Sequence, residues 1–413
     1  MADRDNNAPL LLDVTRLIWR RWKGVRATGI DRICDAWLEH FAPRSQAVII
    51  MKQRQVILPM AASQALFAAL LAPTQKGSDQ RSFREALIKL ALRWGWHLLR
   101  DYDGKQRFWL NPGHTGLHIP ALDAWCIKAK VRPIYLVHDL IPITHPQFCR
   151  TGEASKHRAR INMVLQSAAG VVANSEHTLD TLAAFARNSG KLMPPATVAF
   201  PGCARLQTAG CVPKADNVPS FVILGTIEGR KNHTLLLDVW QQLIARMGHD
   251  CPQLFIVGRR GWQAEDVFAR LDNEDFSGKV VETGPIDDAE LARLLSNARA
   301  LLFSSFAEGF GIPLVEALSA GIPVIASDLE VFREIAGDIP ELLAPDDTAG
   351  WITVITDYAS ASSPRRARQI ARLQGFNPPS WPDHFAEVEA FLSQLTETDS
   401  TASVTSNLTR YQD

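Results

Sequence analysis

Residues 304–328 read SSFAEGFGIPLVEALSAGIPVIASD, and the rest of the chain is organised around them. Ala300–Phe303, just before, is an apolar run of strand length. A loop with Gly309 and Gly311 follows, and Pro313 stands where a first helical turn accepts proline. Val315, Leu318 and Ser319 share one helical face, Gly321 and Pro323 stop the helix, and 324–326 is the next buried strand. The unit is strand, glycine loop, helix, strand. In open α/β sheets, ligands bind at the carboxyl ends of strands, beside helix N-termini. There, backbone N–H groups and the helix dipole suit an anion such as phosphate. Glycines let the backbone come close.

Glu308 and Glu316 bracket this loop with seven residues between them. A carboxylate beside a phosphate site is repulsive unless it has another task, such as accepting hydrogen bonds from sugar hydroxyls. Glu316, one turn into the helix, suits the ribose of a nucleotide. Glu308, at the strand exit, suits a transferred sugar. An ordinary helix start would instead leave both on the surface.

Glu308, Gly309, Phe310, Gly311, Pro313, Glu316, Ala317, Gly321, Pro323 and Val324 together resemble the signature of family four of the retaining glycosyltransferases. The spacing of the glutamates and the glycine–proline pattern between them carry the resemblance jointly. It implies an α/β protein of the GT-B fold, two Rossmann-like domains facing across a cleft, with Ile312 and Leu314 in the donor-binding loop. The expected division is an acceptor-side domain at 1–213, a nucleotide-sugar domain at 214–380, a helix at 381–396 crossing back to the first domain, and a disordered Ser/Thr-rich tail at 397–413.

With 413 residues, 46% of them hydrophobic, the chain can fill two or three cores. No apolar run approaches the ~20 residues that span a bilayer. The start, MADRDNNAPLLLDV, has acidic residues and no long apolar core, unlike a secretory signal. Six scattered cysteines without a C-x-x-C pair fit a reducing compartment better than a disulfide framework or zinc site. The zero net charge hides a division: residues 1–213 hold 28 Lys and Arg against 15 Asp and Glu, a net +13, and the remainder is −13. A basic half suits anionic lipid, nucleic acid or a phosphorylated acceptor, or the two halves simply attract each other.

Leu10, Leu11, Leu12 and Val14 make the first strand, followed by a basic loop, RLIWRRWKGVRATGIDRI, and the helix of Ile33, Trp37, Leu38 and Phe41. Arg16, Arg20, Arg21, Lys23 and Arg26 either meet an anionic acceptor or are solvated. By resemblance, Gly29 faces the donor diphosphate from this side, with Arg32 following. Residues 81–100 have apolar residues at helical spacing between cations, a pattern shared by interfacial helices and internal ones. Asp101-Tyr102-Asp103 precedes Gly104 and reads as a turn. His114 and His118 have ligand-like spacing, but Gly113 and Gly116 argue against a helix to align them. Residues 134–137 are a buried strand with His138 and Asp139 at its end. The resemblance places His138 against the donor sugar, donating to a hydroxyl or supporting positive charge at the anomeric carbon, and Asp139 fixes the loop or the imidazole. Ser175 reads as a helix N-cap or an acceptor-side residue.

Residues 206–219, rich in turn formers, read as the linker. Strand 221–224 leads through Gly225 to Arg230 and Lys231 and then an amphipathic helix, an anion site. These two cations are expected to hold the donor diphosphate and stabilise its charge as the sugar leaves. The family often has arginine where this chain has Thr226, so Arg230 is the replacement to test. Backbone at 284–286, with Pro285 and Ile286, lies by the nucleotide base in the resemblance.

The expected activity is retaining, metal-independent transfer of a hexose, mannose favoured, from a GDP- or UDP-linked donor, with no cofactor. The acceptor is a saccharide or a polyprenyl-diphosphate-linked saccharide of exopolysaccharide, capsule or O-antigen assembly. The expected setting is the cytoplasm, at the inner face of the cytoplasmic membrane, with an anionic membrane surface as partner and no nucleic acid. An epimerase or phosphorylase of the same fold, or a basic binding protein without activity, are the rivals.

Overall fold

The computed structural model describes residues 9–25, 27–51, 54–72, 79–95, 103–203 and 218–409, with backbone alone at 79 and 399–409. Two sheets organise them. The first holds β1 (Leu10–Asp13), β2 (Ser45–Met51), β3 (Arg54–Ile57), β4 (Phe108–Asn111), β5 (Arg132–Val137), β6 (Gly170–Ala173) and β7 (Ala196–Val198). The second holds β8 (Ser220–Leu224), β9 (Gln253–Val257), β10 (Val280–Gly284), β11 (Ala300–Phe303), β12 (Val324–Ser327) and β13 (Glu341–Leu343). The spatial orders are β3-β2-β1-β4-β5-β6-β7 and β10-β9-β8-β11-β12-β13. All pairings are parallel except β2 with β3, where Val48 faces Ile57.

The strands read as continuous apolar runs because helices cover both faces of each sheet. Leu10 and Leu12 enter one layer of the first lobe and Leu11 the other. Phe221 and Ile223 oppose Val222 in the same way in the second. The architecture is thus two Rossmann-like lobes. Strand order reverses between β1 and β4, and again between β8 and β11, and such switch points open a crevice at the strands' carboxyl ends. The loops after β8 and β11 are those of Arg230-Lys231 and of the two-glutamate signature.

The lobes touch across this crevice. Phe148 stacks on Phe306 with ring centroids 5.0 Å apart. Glu334 accepts from the amides of Glu176 and His177 at 2.7 and 3.0 Å. The final helix, Trp381–Thr409, packs on the first lobe: Phe385, Val388, Phe391, Leu392 and Leu395 join its core. The Trp37 indole donates to His384 Nε2 at 2.9 Å, and the opposite ring nitrogen, Nδ1, donates to the Ala199 carbonyl at 3.1 Å.

Three sequence expectations change. The basic stretch after β1 is not all loop: Thr15–Lys23 is helical and ends at Gly24, whose φ of 61° supplies a left-handed cap. No glycine or proline interrupts it, Leu17 is buried, and Asp31 holds Arg16 and Arg20 at 2.7 and 2.9 Å. The helix within 81–100 spans Asp79–Trp94. The last helix runs past 396 to Thr409, since no glycine or proline after Pro382 stops it, so the tail expected to be disordered is helical that far. Arg26, Asp101, Tyr102, most of the 206–219 linker and 410–413 lie outside the described residues. Asp103 does sit in a turn, accepting the Lys105 amide at 2.7 Å. No described helix is long and apolar enough to cross a membrane, and none of the described cysteines is paired.

Candidate active site

After β8, Gly229–Lys231 makes one 3-10 turn, and Asn232 in left-handed conformation (φ 55°) passes the chain into the helix His233–Met247. This turn aims Arg230 and Lys231 at the loop after β11. Both reach one carboxylate: Arg230 Nη1 lies 2.7 Å from Glu308 Oε2, and Lys231 Nζ lies 2.6 Å from Glu308 Oε1. Ser305 donates to the same Oε1 at 2.7 Å. Arg230 Nε also bonds Glu228 at 2.7 Å, and Nη1 donates to the Ala307 carbonyl at 3.1 Å. The Lys231 ammonium lies 4.5 Å from the centre of the Phe303 ring.

Burial pushes the Glu308 carboxyl up, but Arg230 and then Lys231 outweigh it and hold it down at about 2. Burial pulls Lys231 below the usual lysine range, against the opposing pull of Glu308. The buried Lys231 and the partly buried Arg230 thus share two carboxylates, and charge balances inside the cluster. Arg230 and Lys231 are therefore not a bare cation pair: both are engaged by Glu308.

Glu316, on the helix Ile312–Ser319, is 4% exposed and pairs with Arg32 of the first lobe. Burial raises its carboxyl pKa, opposed by Arg32. Arg32 sits one turn into the helix Gly29–Phe41, whose start is fixed by a Thr28/Asp31 capping box. Gly29 lies against the signature helix: a Cβ there would come within 2.9 Å of Ile312 Cδ1. Pro313 occupies the first turn of that helix. The Leu314 and Phe310 side chains are buried in the second lobe's core, so any donor contact at these positions falls to the backbone. Pro285 is exposed beyond the edge strand β10, and Ile286 packs against the same core layer.

His138 follows β5 and is 4% exposed. Its Nε2–H donates to the Pro112 carbonyl at 2.7 Å, while Nδ1 is buried without a protein partner. Since a carbonyl only accepts, the neutral ring presents Nδ1 as an acceptor. Burial, partly offset by that carbonyl, lowers its pKa to about 4. The imidazole is therefore set to receive a hydrogen bond at Nδ1 rather than to donate one. Its main chain touches the signature, because a Cβ on Gly309 would overlap the His138 carbonyl oxygen. Asn174 donates to that carbonyl at 2.8 Å. Ser175 caps its helix by accepting from the Thr178 amide and also donates to the Gly309 carbonyl at 2.9 Å, joined by Thr178 Oγ1 at 3.2 Å. Ser175 is thus the expected N-cap, and it also ties the first lobe to the signature loop. Asp139 fixes its own loop through the Ile141 amide at 3.0 Å. His114 lies with its ring 5.0 Å from His138, and His118 is exposed. Among the described residues no group of three or more His, Cys, Asp or Glu is placed to hold a metal.

The structure brings Arg230, Lys231 and Glu308 together, sets Gly309 on His138, and brings Glu316 and Gly29 to one seam. Sequence reasoning missed Glu228, Ser305, Asn174 and Thr178 as partners. Glu228 alone left a signal, an acid two residues before a candidate cation.

The buried imidazoles make stability depend on pH. Burial holds His138 and His384 at about 4 and His233 at about 3, below the 6.5 of a free imidazole. Between pH 6.5 and 4 the unfolded chain takes up protons that the folded one refuses, so this stability is complete above 6.5 and lost as pH falls. Asp13, raised to about 7 by burial, acts in the opposite sense. Burial holds His114 low as well and raises Asp35 and Glu316 in Asp13's sense; the imidazoles prevail and predict a lower urea midpoint at pH 5 than at pH 7.5, by up to about 2 kcal/mol per imidazole, and equal midpoints would contradict the neutral assignments.

Residues 212–360 match the family described as Glycosyl transferases group 1. The serotype-specific mannosyltransferase WbdA of Escherichia coli is 31% identical over 222 residues, covering 49% of this chain and 26% of that protein. The O-antigen chain mannosyltransferase B of Escherichia coli is 34% identical over 157 residues, 37% of this chain and 41% of that one. The chain therefore spans well under half the length of these curated relatives. Among solved structures, HepE of Anabaena in complex with UDP superposes with a TM-score of 0.61 at 16% identity, covering 95% of this chain and 99% of that one. Sucrose-phosphate synthase from Thermosynechococcus elongatus gives 0.57, also at 16% identity, with 94% and 99% covered. These likenesses establish the two-lobed fold.

Proposed function

We propose, from the premise that residues 212–360 are a glycosyl transferases group 1 domain within a GT-B fold, that the chain transfers a hexose, mannose foremost, from a nucleotide-diphosphate sugar. The acceptor is a saccharide or a polyprenyl-diphosphate-linked saccharide in cell-surface polysaccharide assembly, and the anomeric configuration is retained. The mannosyltransferase names of the relatives support the sugar. The single observation that carries the reaction is the largely buried Arg230–Lys231–Glu308 cluster at the β8/β11 switch point.

In this reading the nucleotide lies along the helix Ile312–Ser319, with Glu316 on its ribose and the loop of Pro285 and Ile286 by its base. Arg230, Lys231 and the backbone at Gly309 and Gly311 hold the diphosphate; Gly29 closes over it from the first lobe. Glu308 orients the sugar, and His138 Nδ1 accepts from a sugar hydroxyl. As the bond from the anomeric carbon to the phosphate oxygen breaks, the cations stabilise the leaving group. The acceptor oxygen attacks from the same face of an oxocarbenium-like centre, and its proton passes to the departing phosphate. Two cations and a helix N-terminus supply the charge stabilisation, so the reaction is metal-independent and uses no cofactor. Its setting is the cytoplasm, at the inner face of the cytoplasmic membrane.

The purified protein, given GDP-mannose or UDP-glucose and a mannose-terminated prenyl-diphosphate oligosaccharide, should consume the former and yield an α-linked product by NMR. An altered nucleotide sugar without acceptor product would point to an epimerase, and consumption of neither donor would overturn the reading.

A further inference from the structure

The short helix Glu330–Ala336 of the second lobe makes two contacts that the proposed reaction does not use. Phe332 stacks on Phe303, with ring centroids 4.9 Å apart, and lies against the signature loop: a Cβ on Gly311 would come within 2.7 Å of its ring. Glu334, two residues on, reaches the first lobe. Its two carboxylate oxygens accept from the Glu176 and His177 amides at 2.7 and 3.0 Å. Those amides open the helix Glu176–Asn188. Glu330 adds a contact to the His177 ring, 3.0 Å from Nδ1. A helix start has amides without intrahelical partners and the positive end of the dipole, so a carboxylate suits it. This helix already has its own cap, because Ser175 accepts from the Thr178 amide. Glu334 is therefore not needed to start the helix. It fixes where the helix start lies relative to the second lobe.

What that placement controls is the pair of hydroxyls beside it. Ser175 and Thr178 donate to the Gly309 carbonyl at 2.9 and 3.2 Å. The signature loop is thus held at both glycines, Gly309 by first-lobe hydroxyls and Gly311 by the Phe332 ring. The helix that carries Phe332 also carries the carboxylate that seats the hydroxyls, so the contacts close into a ring. In a trans peptide the C=O and the following N–H point opposite ways. Holding the Gly309 carbonyl therefore fixes the direction of the Phe310 N–H, in the middle of the loop. We propose that Glu334 is a positioning residue of the transfer reaction: by seating the helix Glu176–Asn188 it lets Ser175 and Thr178 hold the Gly309 peptide, so the loop that grips the donor diphosphate takes its working shape only when the lobes meet. The word donor rests on the transfer reading; the hold on the loop can be measured apart from it.

Amide hydrogen exchange on the full chain, without nucleotide, is the first measurement. Glu334→Ala should speed exchange in 304–312 at least about tenfold, while strands β8 and β11 exchange as in the wild type. Ser175→Gly with Thr178→Val removes the hydroxyls at small cost to the cap. Adding Glu334→Ala to that pair should speed the loop no further, since all three act through one contact. In turnover, Glu334→Ala should lower kcat about tenfold and leave the donor KM within about twofold, because the nucleotide sits on the second lobe. Glu334→Gln, which keeps one acceptor oxygen, should fall between. Unchanged loop exchange in Glu334→Ala, or exchange raised equally through the second lobe, overturns the proposal. So does a combined variant whose effect is the product of its parts, or a raised KM at unchanged kcat. If the loop responds as expected but the wild type consumes no donor, the positioning contact stands and the transfer reading falls.

Discussion

Lys231→Ala should lower transfer by about 100- to 1000-fold, the usual cost of removing one preorganised donor to a developing negative charge, while the protein stays folded. The fold survives because Glu308 keeps Arg230 at 2.7 Å and Ser305 at 2.7 Å, so no buried carboxylate is left uncompensated. Glu308→Gln is the contrast. It leaves Lys231 without its carboxylate and Arg230 with the Glu228 carboxylate and the Ala307 carbonyl, and breaking such an arrangement costs about 3–5 kcal/mol. Thermal melts and single-turnover rates on both variants separate the roles. A Lys231→Ala protein with wild-type rates would remove the diphosphate assignment.

Glu316→Ala is expected to lower transfer by more than about 100-fold, since hydrogen bonds to a charged group contribute roughly 1.5–3 kcal/mol each and a ribose offers two hydroxyls. The structure adds a second task, the pairing with Arg32 across the lobes. Arg32→Ala tells the two apart. It removes the tie but leaves the carboxylate, and should cost only several-fold. If both variants lose activity equally, Glu316 acts by holding the lobes together and does not read the nucleotide.

The signature unit was readable because each of its steps has a local cause. Ala300–Phe303 emerges as strand β11 with the bounds its apolar run implied, Pro313 falls in the first turn of the helix, and Val324 opens the next strand. The partners of the candidate groups were not readable. Arg32 and Glu316 stand 284 positions apart, and nothing local in either announces the other. The acceptor role of His138 Nδ1 depends on the Pro112 carbonyl, a main-chain atom whose position the tertiary fold decides. Thr15–Lys23 looked like loop because cations masked its period; burial of Leu17 and the Asp31 bridges make it a helix.

The final helix has a bearing on biosynthesis. Phe385, Val388, Phe391, Leu392 and Leu395 complete the core of the lobe that contains β1, and Phe391 and Leu395 lie where a Cβ on Gly170 would meet them at 2.8 Å. When the ribosome has made the first two hundred residues, the earliest lobe still lacks one wall. That wall arrives only after the second lobe has been translated, so the nascent protein keeps an oily gap until the helix from Trp381 emerges, and the two halves reach maturity together.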